Sequence, residues 1–537
     1  MFKKSKHIVI IIIVCTICII AALLCTVWLS FRRNNPNRSL YGRNVTLSGE
    51  MSPQERADDF DELCGFLEAN APIIGKFGEL YGISYQSVKE HYGRRVQNAE
   101  NDFAYYACLT GFLNNIPSAH MKNGFPGGRL ADGNMERWLS ANQSFADAQS
   151  YWLEILHSEC LKHYDGTGEK AVFSYYSGSY VGVSLTEGDR LEINRAALLS
   201  INGVPADDFI KLFSSSYKLK YDHAAGKPFR DSIIFNGSFG EPCEIEYLTA
   251  DGATRTAELY CGAESEICLN YAEYFKAIDG TVQPQYGEAS ARGGNVLSVL
   301  RDEENSLAVI FLDSFDSETV TGEVIANTIK KISAEFDTIV IDIRNNSGGY
   351  YEYAYDVLSA LTAEDIEISN SIFCTEESFG RNGDIFSFKR TKDGFWSSTE
   401  KRTVKGEAAG DKDLYLLVSD KTASAADLLA SEFKRNGLGT VAGVNNTDGE
   451  KNGTVRLGFC TGSGIYFYYT EYSSPNPDGT NNGVYGTAPD ILLEADPESY
   501  FTREKLRESG EDIYSPENRL EWDGVLRQVF ELIGEQN

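Results

Sequence analysis

The chain predicts a mixed α/β fold distributed over several domains, α+β overall, and three observations predict it. S-L-A-V-I-F-L-D-S-F (306–315) reads as a strand and G-E-V-I-A-N-T-I-K-K-I (322–332) as an amphipathic helix. D-T-I-V-I-D-I-R-N-N-S-G-G-Y (337–350) is then a buried strand that breaks into a glycine turn, which completes a βαβ unit. Second, D-L-Y-L-L-V-S-D (413–420) is another short apolar strand, and Ala425 to Lys434 follows with apolar residues at helical spacing and Asp427 in the first turn. Third, the pattern is helical up to Leu113 and becomes strand-like from about 170, so different element types occupy different stretches. A chain of 537 residues has room for about three to four domains.

Taken in order, residues 8–29 form an uncharged run of 22, about the length that spans a bilayer. Lys3, Lys4 and Lys6 precede it, and Arg32 and Arg33 follow. With a large acidic region beyond and no A-x-A site or lipobox, the run predicts a retained signal anchor, N-terminus inside. Residues 1–34 form this anchor and 35–50 a polar linker. Helical patterning fills 51–169, opening with Ser52 as N-cap, Pro53 at N1 and Glu55 at N3. Strand-like patterning fills 170–262, a connector runs over 263–300, and 301–497 holds the βαβ unit and the strand–helix step. Residues 498–537 form a helical tail, with S-P-E-N-R-L-E-W-D-G-V-L-R-Q-V-F-E-L-I (515–533) as one amphipathic helix.

Charge excludes some functions. Seven Lys or Arg and no acids lie in 1–43, which leaves 42 basic against 78 acidic residues beyond. That balance excludes nucleic acid as a partner and argues against adhesion to anionic lipid. Three of the 11 cysteines (Cys15, Cys18, Cys25) lie in the apolar run. The rest show no C-x-x-C or histidine pairing, so no metal site and no cofactor is indicated. Cys243, Cys261 and Cys268 stand near enough in sequence to pair, with a core role as the simpler reading.

Two features carry chemistry. Ser424, in K-T-A-S-A-A-D-L-L-A (421–430), sits where a strand turns into a helix, so its hydroxyl can project beside the free N–H groups of the first turn. The simpler alternative is a helix N-cap. Gly348 and Gly349 offer N–H groups at the carboxyl end of a strand, where α/β sites form; the alternative is a plain chain reversal.

The order D-x-R-N-N-x-G-G, then T-A-S-A-x-D, then G-x-A-P-D-I (486–491) resembles the tail-specific (C-terminal processing) and tricorn-type serine peptidases, over about 50–495. The resemblance implies a crotonase-like catalytic core in 301–497, a helical cap before it, and a PDZ-like module in 170–262 around S-I-N-G-V-P. It makes Ser424 the nucleophile, and Gly348 or Gly349 with Ala425 the oxyanion hole. Two bases remain open. Lys451 lies in G-V-N-N-T-D-G-E-K-N-G (443–453), which departs from the family's G-x-x-T-x-G-K because one extra residue precedes Thr447 and Glu450 follows Gly449. The loop's composition reads as a solvated turn, a poor place to lower an ammonium pKa. His120, in F-L-N-N-I-P-S-A-H-M-K (112–122), falls on the family's histidine, with Ser118 where aspartate is frequent; it is the preferred base. The orienting acid would fall near Gly483, leaving Glu471 and Asp478 as substitutes. The expectation is a single-pass, membrane-anchored extracytoplasmic serine peptidase acting on peptide or protein tails through a Ser424 acyl-enzyme. The alternative is a catalytically inactive relative that binds peptides or surface partners. Sequence leaves the oligomeric state open.

Overall fold

A computed structural model describes residues 43–536 apart from 79, 127–141, 164–169, 184–192, 279–295, 383–386 and 409–411. The apolar run 8–29 lies outside these residues. Among the described residues no helix is long and apolar enough to cross a membrane.

The centre is a six-stranded sheet in the order Leu297–Asp302, Leu307–Leu312, Thr338–Asp342, Asp413–Val418, Thr440–Gly443, Ile491–Leu492. Its first pair is antiparallel and every later pair parallel. Val309, Val340 and Tyr415 stand in register across three strands. Alternation divides the central strands between two cores. Ala308, Ile310 and Leu312 pack with the helices Gly322–Glu335, Tyr351–Leu361 and Ala425–Arg435. Leu307, Val309 and Phe311 face the other way, onto Val525, Leu526, Val529 and Ile533 of the last helix, Gly524–Gln536. The tail is therefore part of the central sheet's core. It also differs from one continuous helix: Pro516–Trp522 ends at Asp523, which turns away to accept from Arg344.

The N-terminal half is built on helices Pro53–Asn70, Tyr85–Gln97, Asp102–Asn114 and Gln143–His163. Ser52 and Glu55 form the reciprocal capping box that their spacing implies. Next comes an antiparallel sheet in which Ser179–Gly182 pairs both with Lys170–Tyr176 and with Ala197–Ile201, so the sheet closes on itself. Asn202 and Gly203 turn its hairpin with φ of 51° and 73°. One hydrophobic core joins the helices to this sheet, through residues such as Leu109, Phe112, Phe173 and Phe235.

A small sheet links the halves. Lys122–Asn123 pairs with Tyr466–Thr470, which pairs with Val455–Phe459. Through Lys122 opposite Tyr468, the chain just after His120 is fastened beside the loop that precedes Val455. The eight cysteines among the described residues are buried and free, including Cys243, Cys261 and Cys268.

Candidate active site

Ser424 precedes the helix Ala425–Arg435 with φ 56° and ψ −123° and makes no side-chain capping bond. A β-carbon in that region costs of order 1–3 kcal/mol, which excludes the N-cap reading: a cap residue is extended and bonds the first turn. The strain is held by backbone bonds on both sides. Ser424 N–H donates to the Gly449 carbonyl (2.9 Å), and Ala423 N–H donates to the Asn346 carbonyl (3.2 Å). Thr422 Oγ1 donates to the Ile343 carbonyl (2.9 Å), so the elbow is bound to the end of the neighbouring strand.

The glycine turn lies against this elbow. A β-carbon on Gly348 would stand 2.7 Å from Ser424 Cβ and 2.9 Å from Ala425 N, so only glycine permits the approach. Gly348 carries φ 99° and Gly349 φ 135°. Gly348 N–H is already donated to Asn346 Oδ1 (2.9 Å). Among the described residues no acceptor takes the N–H groups of Gly349 and Ala425. Those two are the donors available to a developing oxyanion.

His120 is placed by the small sheet and by Glu450. Its Nδ1 pairs with Glu450 Oε2, and its backbone N–H donates to the same oxygen (3.2 Å). Thr470 Oγ1 lies 3.3 Å from Nδ1. Ser118 hydroxyl donates to Glu450 Oε1 (2.5 Å), so serine occupies the place of the frequent aspartate and serves the carboxylate from its other side. Burial opposes the charge on Glu450, but His120, Ser118 and Lys218 outweigh it and hold the carboxyl below its usual range. With Nδ1 held by the carboxylate, Nε2 is the ring nitrogen left for proton transfer. Among the described residues no hydrogen bond joins His120 directly to Ser424. The Tyr351 hydroxyl stands at Ser424's side chain, donates to the Gly453 carbonyl (3.1 Å), and feels the charge of Glu450.

Two expectations need correction. The loop 446–452 is not a solvated turn: Glu450 and Lys451 are 2% and 7% exposed. Its polar groups are spent on tertiary partners. Asp448 N–H donates to the Thr422 carbonyl (2.8 Å), Lys451 N–H to Asn482 Oδ1 (2.9 Å), and Thr447 Oγ1 to Asp427 Oδ1 (2.5 Å). Burial pushes the Lys451 ammonium down, against Asp427 and Glu432. Yet Lys451 Nζ donates to Ser431 Oγ (3.0 Å), seven residues along the helix from Ser424, about 10 Å of rise. Its direction, not its solvation, separates it from the serine. Second, neither expected acid faces His120. Glu471 accepts from Arg381 (3.1 Å) and Arg456 (2.6 Å), and Asp478 accepts from Thr480 (2.7 Å). The carboxylate that does is Glu450, read in the sequence only as an intruder. A signal existed: directly after Gly449, it holds the slot of the lysine in G-x-x-T-x-G-K. Tyr351 gave no signal.

Residues 306–493 match the family model described as Peptidase family S41. No curated protein sequence matches the chain. Among solved structures, mature CPAF is similar at 13% identity and a TM-score of 0.49, over 90% of this chain and 98% of that one. The photosystem II D1 C-terminal processing protease is similar at 15% identity and a TM-score of 0.32, over 84% of this chain and 95% of that one. The tricorn protease is similar at 12% identity and a TM-score of 0.25, over 84% of this chain and 37% of that one. The family match spans the glycine turn, the strained serine and Glu450, and over these residues the chain is similar to peptidase family S41.

Proposed function

We propose that the protein is a serine peptidase that cleaves peptide or protein substrates through a Ser424 acyl-enzyme. The single observation that carries this reading is the backbone of Ser424, held at φ 56° beside the free N–H groups of Ala425 and Gly349. Strain of this kind persists where the surroundings over-determine it, as at a nucleophile aimed away from its own helix. In the proposed reaction Ser424 Oγ attacks the substrate carbonyl, and Gly349 and Ala425 stabilise the oxyanion. His120 Nε2 takes the serine proton and returns it to the leaving amine, with Glu450 holding the ring by Nδ1. Tyr351 orients the serine hydroxyl. Water then releases the acyl group by the same proton path.

The antiparallel sheet within 170–262 is read as the PDZ-like module, a docking surface for peptide substrates. The 22-residue apolar run at 8–29 supports an anchor, with the acidic remainder outside the cytoplasm. A fluorophosphonate probe should label the wild-type protein and not Ser424→Ala. A folded wild type that resists the probe would favour a binding protein instead. For topology, protease added to intact cells should digest the region after residue 35, while carbonate washing leaves the chain in the membrane; a soluble form starting near residue 30 would reject the anchor.

A further inference from the structure

The stretch between the short helix Ala206–Phe209 and the strand Lys220–Asp222 belongs to the β-rich module, yet it is fastened to the loop that carries His120. Asn114 Nδ2 donates to the carbonyls of Ser215 (3.3 Å) and Ser216 (2.9 Å), and Leu219 N–H donates to the Asn114 carbonyl (2.8 Å). Asn115 Nδ2 donates to the Phe213 carbonyl (3.2 Å), while its Oδ1 accepts from Arg230 (3.0 Å). Lys218 reaches furthest along this seam. Its ammonium donates to the Ser118 carbonyl, two residues before His120. Ser118 is thus held twice, by its carbonyl to Lys218 and by its hydroxyl to Glu450. Lys220, next in line, is committed to Asp231 (2.9 Å) and Asp420 (2.8 Å).

The charges facing Lys218 are Asp448 and Glu450, which favour its ammonium, and Lys122 and Lys220, which oppose it. Desolvation pushes Lys218 down to about 8 and Asp448 up to about 6. An ammonium in this place acts on the Glu450–His120 pair. Without the transferred proton the pair carries one negative charge; with it, none. A neighbouring cation favours the first state and so keeps the pair ready to accept a proton at lower pH.

We propose that Lys218 is a positioning residue for proton transfer, contributed by the β-rich module, which fixes the His120 loop through the Ser118 carbonyl and biases the Glu450–His120 pair toward its proton-accepting state. This rests on the reading of His120 as the base. The test is titration of ¹³Cε1-histidine NMR signals in the full chain, His120 being identified by its loss in His120→Ala, with folding checked by thermal melting. Lys218→Met and Lys218→Gln should each raise the midpoint of the pair by about 0.5 pH unit or more, and Lys218→Arg should leave it near wild type. In turnover, the two neutral variants should lose about tenfold or more in kcat with KM within about twofold, and Lys218→Arg should recover most of the loss. Unmoved midpoints in a folded neutral variant would overturn the proposal, as would Lys218→Arg being as impaired as Lys218→Met. Because the midpoint is read without turnover, shifted midpoints in the neutral variants together with a wild type that lacks peptidase activity would sink the peptidase reading and leave Lys218's hold on the pair standing.

Discussion

Ser424, His120, Glu450 and Lys451 show how single side chains acquire roles from their neighbours. Glu450 and Lys451 are adjacent and both buried, but one faces His120 and the other Ser431. Glu450→Gln should therefore lower kcat by roughly 10³–10⁴-fold, since an amide cannot hold the imidazolium that forms. Lys451→Met should leave kcat within about threefold while costing roughly 1–3 kcal/mol of stability, because buried Asp427 loses the Lys451 charge that favours its carboxylate. The pH dependence has a definite sign. Glu450 has a folded pKa below its unfolded value near 4.3, so its contribution to stability is complete above that value. It is lost as pH falls through the depressed folded value. Denaturant melts of the wild type and Glu450→Gln should thus differ in unfolding free energy at about pH 5 and converge as pH falls below about 4.

At the scale of elements, the site is made where three strand ends meet. Phe315 N–H donates to the Gly348 carbonyl (2.9 Å), Tyr350 N–H donates to the Phe315 carbonyl (2.9 Å), and Asn346 Nδ2 donates to the Leu312 carbonyl (3.1 Å). The glycine turn is thereby pinned against the serine elbow. Gly348→Ala would place a methyl 2.8 Å from the Ala423 carbonyl oxygen at a backbone angle of 99°, and neither strand end can retreat without breaking these bonds. Fluorophosphonate labelling should slow by about 100-fold or more, with a destabilisation of roughly 2 kcal/mol or more by thermal melting. If the variant labels at the wild-type rate, the turn has no part in the oxyanion site.

Across the whole molecule, the last helices act as the second wall of the central sheet. Arg344 joins the two, bonded to Asp342 (2.6 Å) and to Asp523 (3.0 Å), with all three side chains largely buried. Arg344→Met should cost roughly 3–5 kcal/mol, since it strands two buried carboxylates, and Asp342→Asn with Asp523→Asn should recover part of that loss. A melt unchanged by Arg344→Met would show that the tail is held by its apolar face alone. The seam between the β-rich module and the His120 loop is the other long-range tie, and through it Lys218, about 200 positions before the serine, holds the Ser118 carbonyl.

The sequence by itself determined the repeating parts. Apolar strands and amphipathic helices around 306–350 and 413–434 follow from periodicity, because burying two faces of a sheet demands it. Ser52 with Glu55 fixed a helix start, and the motif order drew attention to Ser424 and to Gly348 and Gly349. What the sequence could not show was which polar residues are buried. N-T-D-G-E-K-N reads as solvated because composition records affinity for water, whereas the strand ends and Asn482 satisfy those groups internally. Nor could spacing assign Glu450 to His120, which lies 330 residues away and arrives through a two-residue strand. That meeting, the direction of Lys451, and the reach of Lys218 were decided only by tertiary structure, since each depends on where distant backbone segments place a side chain and not on any local pattern.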